Sequence, residues 1–312
     1  MSQPIVSPIT SPRRGGRPRN ALGKEAGRRL SLTLMTAPAL LWYLFFMLIP
    51  AVSMVVVSFL DWPGLLATPS FSGFANYEKL VADPEFWAAA RNTLVHVVVV
   101  VGVMIPVSFM LGYYLNMKPR GHRVLRILFF VPALLSVSAR AMVFFGVFAP
   151  GGFLNGVLRT VGLDSLTTAW LANPETTLGV VIFVDLWGGI GFTAILFAAR
   201  LTSVSPEIYE AAELDGATHW RKMWGVAFPV VKGYVGVVTM LQFLWTLFYS
   251  ATTVLLLTKG GPGTSSTTLS FMVYQQAFIE SDIGYSQAIG VVLFVAGLVG
   301  MIVISRSIRQ NF

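Results

Sequence analysis

The sequence predicts an all-α, polytopic membrane protein: six transmembrane helices and one charged cytoplasmic loop. Three observations predict it. The composition is apolar, the apolar residues fall into six runs of membrane-crossing length, and Lys and Arg alternate between successive loops. Of the 312 residues, 55% are hydrophobic and 12% charged, with a mean hydropathy of +0.70. Soluble domains carry about twice that share of charge. The length has room for two soluble domains, but the apolar runs point to one membrane domain. The absence of cysteine removes disulfide and thiol chemistry. His96, His122 and His219 are too scattered to suggest a metal site. A net charge of +8 would suit nucleic acid, but no basic groove with interleaved aromatics lies outside the apolar runs. No nucleic-acid partner is expected.

In chain order, residues 1–30 include "SPRRGGRPRNALGKEAGRR". Rich in Pro, Ser, Gly and Arg, they read as a disordered basic tail. Residues 31–312 read as the transmembrane domain. The first span, about 32–60, is too long for a signal-peptide core and lacks a small-residue cleavage site. It is expected to bend or break near Pro50. The other spans are expected at about 93–117, 128–148, 177–199, 234–257 and 286–304, each near the ~20 residues needed to cross hydrocarbon. Backbone groups find no water there, so the spans are helices. Period-2 alternation is missing, which excludes a membrane barrel. Between spans one and two, "FSGFANYEKLVADPEFWAAARNTL" (71–94) predicts a short interfacial helix running into span two. "GGFLNGVLRTVGL" (151–163) predicts an amphipathic surface helix, and "TKGGPGTSS" (258–266) has turn chemistry.

Lys and Arg concentrate in the tail and in the loops after spans two and four: Lys118, Arg120, Arg123 and Arg126, then Arg200, Arg221, Lys222 and Lys232. Arg306 and Arg309 follow span six. The intervening loops are poor in them. Both termini and the loop 200–229 are therefore expected in the cytoplasm.

That loop contains "YEAAELDGATHWRKMWGVAFP" (209–229). Ser205 suits an N-cap and Pro206 the first helical position. Glu207, Glu210 and Glu213 follow on the first turns. Gly216 suits the position after the helix, where φ is positive. Thr218 is placed to cap a second short helix through about Trp224, with Arg221 and Lys222 near its end. Ala211 and Ala212 leave a small-residue surface with the Glu210 carboxylate beside it. An ordinary polar loop has no need of caps, turn glycine and paired alanines together.

The spacing Glu210-Ala211-Ala212, Gly216, Val226, Phe228, Pro229 resembles the EAA loop of ABC importer permeases. Val226 and Phe228 stand where that family often has Ile and Leu. "GFANYEKLVADPEFWAAARNTL", "FVPALLSVSARAMVFFGVFAPGGFLNGVLRTVGL" and "LLTKGGPGTSSTTLSFMVYQQAF" are similar to the carbohydrate-uptake branch, so the resemblance covers most of the chain. It implies a permease subunit that binds no ATP itself, in line with the absence of a GxxxxGK[ST] loop. It implies three partners: a second permease chain, a cytoplasmic ATPase dimer and an extracytoplasmic sugar-binding protein. It also implies that Glu210, Ala211, Ala212, Glu213, Gly216 and Pro229, flanked by Arg221 and Lys222, couple the chain to the ATPase.

Two ionisable residues fall inside spans, Arg140 and Asp185. Charges in lipid face a cavity or a partner, so they read either as part of a polar path or as a structural pair. Span five carries Gln242, Trp245, Thr246, Tyr249, Ser250, Thr252 and Thr253. Aromatic and hydroxyl groups suit sugar rings; small hydroxyl residues also suit helix packing, and the sequence leaves both open. Trp187, Gly188, Gly189 and Gly191 suggest close packing or a bend. An ion-coupled secondary transporter is the competing class. It predicts repeats and several intramembrane acids, of which only Asp185 is seen. A membrane enzyme would need a catalytic cluster, and none is visible.

Overall fold

The computed structural model describes residues 33–307; the tail expected at 1–30 lies outside the described residues. Six helical stretches are long and apolar enough to cross a membrane: Thr33–Val57, Pro84–Asn116, Val137–Thr160, Thr177–Leu201, His219–Leu257 and Ile283–Ser307. The all-α, six-span class holds. Strand structure among the described residues is the two-residue antiparallel pair β1 (Leu60–Asp61) and β2 (Ser70–Phe71). The chain divides at Ser53–Met54 into a small N-terminal unit and a larger one holding the other spans.

Helix α1 (Thr33–Val57) meets its proline without breaking. A π turn, Leu44–Leu48, widens the helix just before Pro50, and the Ile49 N–H donates to the Leu44 carbonyl. The wider turn lets the backbone absorb a residue that has no N–H to give.

Helix α2 (Ala75–Ala82) is the short helix expected before span two. Buried Asn76 ties it to the preceding loop, donating to the carbonyls of Ser58 and Leu60 at 3.0 and 2.8 Å. Helix α3 begins at Pro84 and runs to Asn116, nine residues earlier than the sequence suggests. Asp83 caps it, accepting from the Glu85 N–H at 2.8 Å, and Pro84 takes the first position. Cap and proline define a start that apolar composition cannot show.

The third span is not one helix over 128–148. It is α4 (His122–Leu134) followed by α5 (Val137–Phe148). Pro132 lies in the last turn of α4, Leu135 is extended, and Ser136 starts α5 by accepting from the Ala139 N–H at 3.1 Å. A turn leads to α6 (Phe153–Thr160), the amphipathic helix expected from sequence, and α5, this turn and α6 together make up the third of the six long apolar stretches. Its buried Asn155 donates to the carbonyls of Pro150 and Thr168 and accepts from Trp170 Nε1.

Helix α7 (Thr177–Leu201) matches its expected bounds closely. Helix α8 (Pro206–Leu214) leads through Gly216 into α9, which runs unbroken from His219 to Leu257. The separate short helix expected to end near Trp224, and a span beginning at Tyr234, are both corrected by this continuity. The reason is a second π turn, Met223–Ala227, with the Phe228 N–H bonded to the Met223 carbonyl just before Pro229. Helix α10 (Leu269–Phe278) was not anticipated. Thr268 caps it, and the Leu269 N–H donates to Thr93 Oγ1 of α3 at 2.8 Å. Helix α11 (Ile283–Ser307) is the last span.

Glycines set the closest approaches, as the cluster in span four suggests. A Cβ at Gly112 of α3 would lie 2.7 Å from the Ala194 carbonyl of α7. A Cβ at Gly191 would lie 1.5 Å from the Phe129 carbonyl of α4. Ser108 Oγ adds a 3.0 Å bond to the Ile190 carbonyl. We expect Gly191→Ala to lower stability by about 1–3 kcal/mol or more, because the backbone of α4 must move. Gly179→Ala on the same helix meets nothing within 4 Å and should leave the melting temperature in detergent nearly unchanged.

Candidate functional site

Two regions hold the residues that the sequence singles out. One is a cavity of about 460 Å³ between α3, α4, α5, α7 and α9. All seven expected path residues line it: Arg140 of α5, Asp185 of α7, and Gln242, Trp245, Thr246, Tyr249 and Ser250 of α9. The 3.6-residue period of α9 brings the last five onto one face. Trp245 and Tyr249 stack with centroids 4.4 Å apart and planes within 14°. Their exposures, 59% and 58%, leave broad ring surface free.

The other polar groups divide between holding helices together and facing the space. Gln242 donates to Thr193 Oγ1 of α7 at 2.9 Å, and Thr193 donates to the Gly189 carbonyl. Ser250 is buried and bonds to Thr268 and Ser270, which ties α9 to the start of α10. Thr246 is buried.

Arg140 and Asp185 do not form an ion pair with each other. Asp185 instead lies against His96 of α3, with Oδ2 3.0 Å from Nε2, and its Oδ1 accepts from Thr253 at 2.7 Å. The His96 contact lacks hydrogen-bond alignment. His96 is a site residue that the sequence motifs do not single out. Its signal was a polar ring inside an apolar span, which in lipid demands a partner. Arg140 fills the space that a side chain at Gly188 would occupy: a Cβ there would sit 1.3 Å from a terminal guanidinium nitrogen.

The second region is the hairpin formed by α8 and the start of α9. Ser205 stands at the N-cap position and Pro206 at N1. The Ser205 hydroxyl donates to the Glu207 carboxylate rather than capping the backbone. Gly216 has φ +76°. Around it the Ala217 N–H bonds to the Ala212 carbonyl at 2.9 Å and the Gly216 N–H to the Glu213 carbonyl at 3.0 Å. This is the two-bond Schellman closure, and it needs the left-handed φ that glycine adopts freely. Thr218 Oγ1 accepts from the Arg221 N–H at a long 3.4 Å.

Lys222 is buried, and its ammonium donates to Glu213 Oε2 at 3.0 Å, closing the hairpin on itself. The Lys222 hydrogen bond, then its charge, holds the Glu213 carboxyl below the usual carboxylate range. Glu210, Ala211, Gly216, Arg221 and Pro229 are exposed and Ala212 half-buried. Leu214, 90% exposed, and Trp220 also stand clear. Tyr209 turns inward from α8 into a cluster with Phe109, Tyr113, Phe197, Leu201, Met223 and Ala227. Burial, then the nearby Tyr113, pushes its hydroxyl up to about 12. The hairpin is thus packed onto the ends of α3, α7 and α9.

The family described as binding-protein-dependent transport system inner membrane component matches residues 104–310. The probable ABC transporter permease YurN of Bacillus subtilis is 33% identical over 85% of this chain and 91% of its own length. The multiple sugar-binding transport system permease MsmF of Streptococcus mutans is 33% identical over 88% and 94%. The diacetylchitobiose uptake system permease NgcF of Streptomyces coelicolor is 31% identical over 92% and 84%. Among solved structures, a bacterial ABC transporter involved in import of the acidic polysaccharide alginate shares the fold. It has a TM-score of 0.80 and 23% identity over 93% of this chain and 99% of its own.

The Glu213–Lys222 contact gives a pH dependence of defined sign. The folded carboxyl titrates below the unfolded one, so the contact stabilises the hairpin above the unfolded value. That stabilisation fades as pH falls through the folded value. Amide protection factors across 206–222, taken against the intrinsic exchange rate at each pH, should therefore fall on acidification through the carboxylate range. Glu213→Gln should show lower protection factors at neutral pH and no further change in them in that window. An unaltered profile in the variant would remove the contact from the account.

Proposed function

Since the chain belongs to the family of binding-protein-dependent transport system inner membrane components, we propose that it is the permease subunit of a sugar importer and carries part of the translocation path. Its partners are a second permease chain, an ATPase dimer that uses the ATP, and an extracytoplasmic sugar-binding protein. The relatives named for multiple sugars and for diacetylchitobiose support the sugar class. A related fold was solved with an alginate pentasaccharide-bound periplasmic protein, which supports the binding-protein partner. This subunit has no ATPase site of its own. Residues 1–30 form a cytoplasmic tail on a permease domain of 31–312, and both termini and the hairpin lie in the cytoplasm.

One observation carries the reading: α9 is a single helix from the hairpin to the cavity. It starts at His219, one residue after the Thr218 cap, and presents Trp245 and Tyr249 to the cavity before ending at Leu257. At 1.5 Å per residue its 39 residues span about 58 Å. A displacement imposed on Glu210, Ala211, Leu214 and Trp220 acts on α8, which Tyr209 fixes to α3, α7 and α9. The hairpin and the cavity wall then move together. Glu213 and Lys222 are occupied with each other, so their work is to keep the hairpin rigid. Glu210, exposed and with no side-chain partner among the described residues, is a carboxylate free to meet the ATPase. Arg221, beyond the Gly216 turn, is an exposed charge without a side-chain partner among the described residues, and Pro229 marks where the hairpin passes into the span.

Gly216→Val forces a β-branched residue into left-handed φ. In the reconstituted importer it should raise the ATP hydrolysed per sugar transported at least severalfold, with normal membrane insertion. Normal coupling in that variant would sink the hairpin's role. Purified alone, the chain should hydrolyse no ATP; turnover intrinsic to it would overturn the subunit assignment. Because the native chain lacks cysteine, Asp215→Cys gives a single label site, which should react only with reagents reaching the cytoplasmic face.

A further inference from the structure

Arg140 is a charge without a counter-charge. Its Nε is sealed from solvent and has no hydrogen-bond partner. Among the described residues, none of its guanidinium nitrogens takes part in a side-chain hydrogen bond or ion pair. Asp185 lines the same cavity, but His96 and Thr253 hold its two oxygens. The position is nonetheless built for a guanidinium, because Gly188 withholds the side chain that would displace it. A cation at membrane depth is costly unless something pairs with it.

A planar guanidinium fork binds carboxylate or phosphate oxygens in pairs. The stacked Trp245 and Tyr249 rings line the same space and offer faces to a sugar ring. We propose that Arg140 recognises an anionic group on the sugar, so the cavity favours sugars bearing a carboxylate or phosphate over neutral ones. This rests on the reading of the cavity as the translocation path. The anion would supply the missing counter-charge only while sugar is present. Asp185 Oδ1 is meanwhile occupied by the Thr253 hydroxyl.

The test uses the assembled importer in detergent without its binding protein, so that selectivity measured is that of the membrane subunits. Tryptophan fluorescence is titrated with matched pairs: digalacturonate and galactobiose, cellobiouronate and cellobiose, dimannuronate and mannobiose, and glycerol 3-phosphate and glycerol. The disaccharide pairs report on carboxylate, the last on phosphate. For at least one pair the acidic member should half-saturate at a tenfold or lower concentration, with the signal lost in Trp245→Phe. Arg140→Gln should erase that preference, and Arg140→Lys should keep part of it.

Equal half-saturation within every pair in the native protein overturns the proposal, whether or not the variants fold. A preference that survives Arg140→Gln also overturns it and points to the second permease chain as the source of charge. Fluorescence silent to all eight compounds, with sugar uptake intact after reconstitution, overturns the anion role and leaves the importer standing. Absence of any sugar uptake by the native complex overturns the reading beneath it.

Discussion

Where water is excluded, polar atoms need partners within the protein, and the larger unit is organised around that demand. Asn76, Asn92 and Asn155 each donate twice to loop carbonyls. Ser108 and Thr193 bond backbone oxygens, and Ser250 joins α9 to α10. The bonds from Asn92, Ser108 and Ser250 connect different elements, so they also decide which helices lie side by side. Glycines complete the arrangement, because a bond as short as the one from Ser108 to α7 requires backbones to approach closely. Once the walls are drawn together in this way, the space left between α5, α7 and α9 is lined both by groups that tie helices together, such as Gln242 and Ser250, and by groups left facing it, Trp245, Tyr249 and Arg140.

The hairpin obeys different rules because water can solvate it. Its charges need no burial to be tolerated, so the buried ammonium of Lys222 marks a choice for rigidity over hydration. The Schellman closure at Gly216 and the Tyr209 anchor act toward the same end. The coupling role proposed for the hairpin requires it to be stiff between its points of contact. Here the stiff segment begins in α8 and continues through α9 to the cavity wall.

Features written in local chemistry were legible in the sequence. Gly216 was assigned its turn from one residue type, because no neighbour competes there: a side chain would meet nothing within 4 Å, and φ alone restricts it. The cavity face of α9 was legible from the spacing of Gln242, Trp245 and Tyr249, since helical period is a property of the segment itself. Features that depend on distant partners were not legible. The split between α4 and α5 is made by Ser136 at an otherwise unremarkable point in an apolar run. Helix α10 is too short to read as a span and owes its start to Thr268 and a hydroxyl on α3. The pairing of Asp185 with His96 rather than Arg140 is set by how α3 lies on α7. Nothing local announces that.

The π turn at Met223–Ala227 has a consequence for how hairpin and cavity are registered. A π turn holds one residue more than the α turn it replaces, and one α-helical residue subtends about 100°. That extra residue sets the angular phase between the anchored base of α9 and the face bearing Trp245 and Tyr249. With an ordinary α turn there, the stacked rings would point about a quarter-turn away from the space they line. The wide turn before Pro229 is therefore more than accommodation of a proline. It is the dial that aims one end of the long helix while the other end is held.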